Sequence, residues 1–542
     1  MNTAQPMYEW NTIPWQKLER NVFKLQKRIY QASKRGDSRQ VKRLQRLLIK
    51  SWSTKTLAVK KVTQDNTGKK TAGVDGVKSL TPKQRLELVK NLNPKEKAKP
   101  IRRVWIPKPG KSEKRPLGIP VMRDRANQAL IKMAIEPQWE AKFEPNSYGF
   151  RPGRSCHDAH RALHDTLRHH SKFALDADIA GCFDNINHEV LIKKMDVSPY
   201  ISKIVRQWLK AGIMDKNVFH PNEKGTPQGG VISPLLANIA LHGLENLVKS
   251  ISKNAYIVRY ADDFVVLHNE LEVIEQCKLA IESWLIKIGL ELKPSKTRVI
   301  NTLDSHDGQQ AGFNFLGCNI RQYQVGKNKS GKRNKGFKTI IQPSKDSIQR
   351  HKDQIKDVVS RGKAKTQEMV IKEINPIIRG WTNYYRPNVS SKAFNYLTHF
   401  TVRTLMKWGR RRHPKKSRYW VNKKYFKTHN GYQWTFAADD YKLLRHSETK
   451  IERWVKVAGE RSPYDGDWIY WSTRMARHPE ANKKVAYLLN QQKGKCSHCG
   501  YRFKVDDLME IHHLDRNHCN NKWENVTLMH RHCHDKVHKT NA

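Results

Sequence analysis

The chain has 542 residues, too many for one hydrophobic core, so several compact units are expected. Its 102 Lys and Arg against 50 Asp and Glu give a formal net charge of +52, a self-repelling excess that calls for a polyanionic partner such as nucleic acid. No apolar run approaches the roughly 18 to 20 residues of a spanning helix, and the polar start MNTAQPMYEW lacks a signal-peptide core, so the expectation is a soluble protein that is neither membrane-embedded nor secreted.

Along the chain, the apolar and basic pattern over residues 15–51 predicts two amphipathic helices broken at Gly36. Residues 65–76 (DNTGKKTAGVDG) read as a turn-rich loop. Between about 102 and 320, short strand-like runs alternate with helical ones, which predicts a mixed α/β domain. QVGKNKSGKRNKGFK (324–338) reads as a Gly, Lys and Asn loop that is mobile or RNA-bound, and helical periodicity resumes over about 344–408. Residues 403–427 then hold eleven Lys or Arg and no acid, interleaved with Trp408, Tyr419, Trp420, Tyr425 and Phe426. Cations for phosphates beside aromatics for stacking make a plausible nucleic-acid surface. Four of the eight cysteines, Cys496, Cys499, Cys519 and Cys533, crowd the C-terminal stretch among histidines, a pattern of metal ligation in a reducing compartment.

Within the α/β region, VRYADDFVVL (258–267) sets two adjacent acids into an apolar run. Neighbours in a strand point to opposite faces, so Asp262 and Asp263 can serve one metal site only at a turn, and strand-like residues on both sides predict a hairpin tip. Upstream, FALDADIAGCFDNINHEVL (173–191) carries Asp176, Asp178 and Asp184 before a helix start at Asn187. A third carboxylate from a separate strand is what two-metal phosphoryl transfer requires. GTPQGGVISPLLANIALHGLE (225–245) lies between them, a Gly and Pro turn running into an apolar helix.

With these blocks in order, and with RVWIPKPGKSEKRPLGIPVMRDRANQAL (103–130), SYGFRPGRSCHDA (147–159), GLELKPSKTRVI (289–300) and FNFLGCNI (313–320), the chain resembles group II intron-encoded reverse transcriptases from about residue 70 to 320. The resemblance implies a right-hand polymerase with fingers and a mixed α/β palm. It implies two Mg²⁺ ions held by Asp178, Asp262, Asp263 and the backbone carbonyl of Ile179. By the same transfer Lys114 and Arg115 hold the incoming dNTP, Gln228 lines the nucleotide pocket, Lys296 lies near the primer, and Phe183 excludes a 2′ hydroxyl. Asp176 and Asp184 are read as structural. KEINPIIRGWTNYYRPNVSSKAFNYL (372–397) resembles the α-helical thumb of the same family, which implies contacts of Arg379, Trp381, Tyr384, Tyr385 and Arg386 with the parent intron RNA, continued by Arg410, Arg411 and Arg412.

At the C-terminus, Cys496-x2-Cys499 with His530-x2-Cys533 has the spacing of a structural zinc knuckle, with Cys519 open as an alternative to His530. The embedded EIHH, Asn525, His534 and His538 have the order of an HNH nuclease, a ββα-metal module, and the two helical histidines four residues apart share a face. This second resemblance implies a divalent ion, expected to be Mg²⁺, on His512, His534 and His538, with His513 activating water, Asn525 fixing the His513 loop, and Glu510 orienting a ligand imidazole. The expected architecture is a multidomain α+β protein: fingers and palm over 1–330 (with a helical extension to about 70), thumb over 331–427, a DNA-binding region over 428–489 and the nuclease module over 490–542. The expected function joins RNA-directed DNA polymerisation, maturase help to splicing, and nicking of double-stranded target DNA for target-primed copying. The expected setting is the bacterial cytoplasm or nucleoid, or an organelle matrix, with monomer and dimer both open.

Overall fold

The computed structural model describes residues 8–107, 113–216, 218–326, 336–429, 431–504 and 506–539. The centre of the loop expected at 324–338 therefore lies outside the described residues. No described helix is long and apolar enough to cross a membrane.

Two basic helices open the chain, Trp15–Lys34 and Ser38–Lys50, separated at Gly36, whose φ is +77°. Asp37 starts the second by accepting from the Gln40 amide. Leu18, Val22, Ile29, Val41, Leu44 and Leu48 are buried, and their charged faces stay outward. The helices pack on Met122–Glu140, a helix buried around nearly its whole circumference. Because that helix has few exposed positions, its polar residues are satisfied inside: Gln138 receives a 2.7 Å bond from Gln45 and donates to the Asp196 carbonyl.

The palm is a four-stranded antiparallel sheet in the order Tyr256–Tyr260, Asp263–His268, Phe173–Asp178, Arg298–Asn301. Both faces are covered. Leu175, Ala177, Phe264 and Val266 enter the large core shared with the N-terminal helices, while Ala174, Val265, Leu267 and Ile300 enter a second core with Tyr148, Leu163, Phe313 and Trp471. This double burial explains the unbroken apolar run after Asp263. The fingers carry a hairpin, Ile101–Pro107 with Lys114–Ile119, extended by Ile213–Asp215 and Val218–His220.

Beyond the palm, the strands Phe313–Phe315, Cys318–Gln324 and Phe337–Pro343 form a three-stranded sheet. Three helices follow, Lys345–Arg361, Gln367–Tyr385 and Ser391–Arg412, capped at the first two starts by Ser344 and Thr366. The stretch 428–489 builds no core of its own among the described residues. Phe436 and Leu443 join the helical thumb core, Val457 and Trp471 join the palm core, and Ile469 and Leu489 join the C-terminal core.

Residues 451–475 are fastened to the palm by a buried carboxylate. Asp158 is fully buried at the start of helix Cys156–Leu167, where it accepts from the Ser155 amide. Arg474 Nη2 reaches both of its oxygens at 2.6 and 2.7 Å, and Trp454 Nε1 and the Val457 amide add bonds of 3.0 and 2.8 Å. Removing one partner from such a site leaves an uncompensated buried charge. Arg474→Ala should therefore lower the unfolding free energy by about 3–5 kcal/mol, read by denaturant titration, and should expose 451–475 to limited proteolysis.

Candidate active sites

Asp178 ends its strand directly opposite Asp263, and Tyr260 pairs with Asp263 across the hairpin, which leaves Ala261 and Asp262 as a two-residue turn. The shared register puts Asp178 and Asp263 on one face, and the turn frees Asp262 from strand alternation. Ala261 takes φ +59°, a left-handed conformation that a side chain rarely adopts. Gly149 lies against this turn so closely that a Cβ there would come within 2.4 Å of the Ala261 nitrogen.

Of the three carboxylates in this small space, Asp262 and Asp263 have their proton affinity raised. Burial and then the charge of Asp178 push Asp262 up, against the nearby cations Lys296 and Arg115. Burial first, then the charges of Asp262 and Asp178, carry Asp263 up to about 7. Lys296 Nζ contacts Asp178 Oδ2; burial opposes the ammonium, but this contact outweighs it and holds Lys296 above its ordinary value. The carbonyl of Asp178 is taken by the Lys293 amide, and the single bridge between Ile179 and Leu292 turns Ile179's own carbonyl to the opposite edge, toward the Asp262 hairpin. This donor set, hard oxygens with excess negative charge, fits Mg²⁺.

Asp176, on the same strand, is paired with Arg298 at 2.8 Å, a structural role. Asp184 accepts from Gln228 Nε2 at 3.3 Å, which joins the nucleotide loop to the segment after the first palm strand. Gly229, at φ +114°, packs against the Gly118 carbonyl, so that loop also touches the fingers hairpin. Lys114 and Arg115 are exposed at the start of the hairpin's return strand. Phe183 is half-buried, with its ring 6.4 Å from that of Phe150. Phe150 was not singled out from sequence. It is 49% exposed at φ +59°, and its ring also lies 6.5 Å from that of Tyr260, so it links Phe183 to the hairpin that carries the acids.

The thumb aromatics depart from expectation. Trp381 stacks on the buried His351 at 4.8 Å and packs against Tyr385 at 4.4 Å. Tyr384 and Tyr385 donate to the carbonyls of Leu316 and Gly317, and Arg386 pairs with Glu452. These four side chains join the thumb to the palm and to the 451–475 segment; Tyr385 is buried and so turned away from RNA, while Trp381, Tyr384 and Arg386 stay half-buried. Arg379, Arg410 and Arg411 remain exposed. Arg412 is exposed too, but its Nη1 donates to the carbonyls of Lys363 and Lys365 past the end of helix Lys345–Arg361.

At the C-terminus, Met509–His513 and Val526–His530 form an antiparallel hairpin followed by helix Arg531–Lys539. Cys496, Cys499, His530 and Cys533 bring their ligand atoms within 4.8 Å of one another. Burial opposes ionisation of Cys496, but backbone N–H groups of Cys499, His530 and His498 outweigh it and bring the thiol down to about 6. Cys519 is exposed and belongs to no such cluster among the described residues, so His530 completes the set. Four soft or borderline donors at this spacing fit Zn²⁺.

A second cluster unites His512 from the hairpin with His534 and His538 from the helix. Glu510 lies 3.0 Å from His534 Nδ1 and orients that ring. His513, next in the strand, has no hydrogen-bond partner on either ring nitrogen among the described residues. Asn525 secures the turn after it, with its carbonyl accepting from Leu514, its Oδ1 from Asp515, and its Nδ2 donating to Asp515 Oδ1 at 2.7 Å.

Comparison with known proteins fits this geometry. A family model described as reverse transcriptase (RNA-dependent DNA polymerase) matches residues 106–320, one for the N-terminal domain of reverse transcriptase matches 10–92, and one for the group II intron maturase-specific domain matches 348–426. Protein YkfC of Escherichia coli K12 is 32% identical over 327 residues, covering 51% of this chain and 82% of that protein. The chain belongs to the group II intron reverse transcriptase and maturase family. It is also similar to group II intron-encoded protein LtrA of Lactococcus lactis, 35% identical over 207 residues, and to maturase-like protein 1 of Euglena gracilis, 27% identical over 392 residues. These matches cover 37% and 69% of this chain and 34% and 76% of the relatives, so the chain spans about a third of the length of LtrA.

The crowded acids make a testable prediction about metal-free stability. With the folded-state pKa of Asp263 raised from 3.8 to about 7, ionisation opposes folding; the penalty builds as pH rises from about 4 to 7 and is complete above it. Asp263→Asn should therefore raise the melting temperature of the Mg²⁺-free protein at pH 8, change it little at pH 4, and abolish most of the rise that Mg²⁺ produces in the wild type.

Proposed function

We propose that the protein is a multifunctional group II intron-encoded enzyme: it copies RNA into DNA at the palm, supports splicing of its parent intron RNA through the thumb, and nicks target DNA at the C-terminal ββα unit. The observation that carries the polymerase reading is the register pairing of Asp178 with Asp263, with Asp262 on the adjoining turn, inside the stretch that matches reverse transcriptases. Divalent cations held by Asp178, Asp262, Asp263 and the Ile179 carbonyl would activate a primer 3′ hydroxyl and steady the triphosphate and leaving group. Around them, Arg115 with Lys114 offers a guanidinium fork and a point charge to the triphosphate, and Gln228 and Phe183 border the sugar and base. Lys296, already paired with Asp178, would meet the primer end.

The nuclease reading rests on the convergence of His512, His534 and His538 beside a His513 imidazole that, among the described residues, has no hydrogen-bond partner at either nitrogen. His513 would take the proton of an attacking water while Asn525 holds its loop. The zinc set would pin the ends of the hairpin and helix that carry these side chains. A nick made here would supply the 3′ end from which the palm copies intron RNA. The exposed cations at the end of the third thumb helix, Arg410 and Arg411 among them, would meet the phosphates of the intron RNA, and dNTPs and double-stranded target DNA complete the set of partners.

Asp262→Ala with Asp263→Ala should reduce cDNA synthesis on a primed RNA template by roughly 10³-fold or more while leaving intron RNA binding and DNA nicking intact. His513→Ala should do the reverse, eliminating the nick and sparing primer extension; normal nicking by that variant would reject it as the base. Stripping zinc with a strong chelator, then restoring Mg²⁺, should open residues 490–539 to protease and leave primer extension in place.

A further inference from the structure

The left-handed Ala261 is costly in isolation and must be held by its surroundings. The holding groups lie directly behind the turn. Arg259, two residues earlier on the hairpin, is 3% exposed and points its guanidinium into the protein. Its Nη1 donates to the Ala261 carbonyl at 3.2 Å and to Asn238 Oδ1 at 3.0 Å. A guanidinium cannot accept, so this contact fixes the orientation of the Asn238 amide. Asn238, 1% exposed on helix Ser233–Leu241, uses its Nδ2 to donate to the Gly149 carbonyl at 2.8 Å. Gly149 is the residue whose backbone lies on the Ala261 nitrogen. The backbone of Arg259 closes the same circuit, its amide donating to the Asn146 carbonyl and its carbonyl accepting from the Tyr148 amide, at 3.0 and 2.9 Å.

We propose that Arg259 and Asn238 form a buried clamp that holds the Ala261 turn from behind and thereby sets the position of Asp262 relative to Asp178 and Asp263. Neither residue is among those assigned to the site above. They act through the turn and so are positioning residues. The proposal rests on the polymerase reading. One further detail favours a positional role over simple packing: Nη2 of Arg259 has no hydrogen-bond partner among the described residues. A cation chosen only to neutralise the nearby Glu144 and Glu245 would be expected to bond them, whereas this one spends its Nη1 on the turn and on Asn238.

The test uses the full-length chain in steady-state primer extension over a Mg²⁺ series, together with the Mg²⁺-induced rise in melting temperature. Extension by the wild type, abolished by Asp263→Asn, first establishes the polymerase reading on its own. Arg259→Met and Asn238→Ala should then each lower kcat by about 10- to 100-fold, move the half-saturating Mg²⁺ concentration upward, shrink the Mg²⁺-induced thermal rise and leave the KM for dNTP nearly unchanged. The double variant should be little worse than the worse single, since both break one device. The decisive arm is Ala261→Gly. Glycine accepts the left-handed conformation without a clamp, so Ala261→Gly should restore much of the kcat and the Mg²⁺ response lost in Arg259→Met. Arg259→Lys, which keeps the charge but not the fork, should recover less than Ala261→Gly does. If Arg259→Met cannot be obtained folded, the same rescue is read in Asn238→Ala. A normal Mg²⁺ midpoint in the variants, fully additive losses in the double variant, or no rescue by Ala261→Gly would overturn the proposal.

Discussion

Asp178 and Asp263 face each other across two hydrogen-bonded strands, with Asp262 one residue away, and like charges opposed in this way repel. Much of the surrounding architecture makes that arrangement sustainable. The sheet is buried on both faces, so its strands cannot slide to relieve the repulsion without moving alternate apolar residues from one core to the other. Lys296 sits on Asp178, Arg115 reaches the field of Asp262 from the fingers, and Arg298 occupies Asp176 so that the fourth acid of the neighbourhood is spoken for. What is left is a cluster of carboxylate oxygens whose mutual repulsion a divalent cation would relieve.

The same reasoning accounts for the distribution of positive charge. A net charge of +52 cannot be neutralised within the chain, and the buried guanidinium groups are a small, selected subset of it. Arg474 with Asp158 fastens segments 316 positions apart, while Arg151 with Glu140 and Arg259 with Asn238 tie segments 11 and 21 positions apart. The exposed remainder lies on the N-terminal helices and at the end of the thumb, free of the interior.

The grouping of the candidate site residues was more legible than the packing around them. YADD with a third acid upstream, and two interleaved sets of Cys and His, are local patterns whose chemistry demands them, and the structure brings both groups together. In the thumb segment RGWTNYYR the aromatics do not act as one set, since Tyr385 is buried while Trp381 and Tyr384 are half-buried. Ile374, Ile378, Trp381 and Tyr385 fall at intervals of four, three and four, an inward stripe whose periodicity outweighs their suitability for stacking on bases. Other features had no local signature at all. The positive φ of Ala261, the exposure of Phe150 and the pairing of Asp158 with a residue more than three hundred positions away depend on which backbones meet, and a single sequence does not state that. The choice between His530 and Cys519 was of the same kind: both lie at workable spacing, and only the hairpin decides.

The anchoring of residues 451–475 has a geometric consequence. Helix Trp468–Met475 is bound to the palm through Arg474 and Trp471, yet its Ile469 belongs to the core of the C-terminal unit. One short helix is thus shared by two bodies, and the passage between them is not a tether. The C-terminal unit therefore hangs on a helix that also belongs to the palm core, and the interval between its Cys and His clusters and the three acids is governed by that shared helix and not by a loose linker.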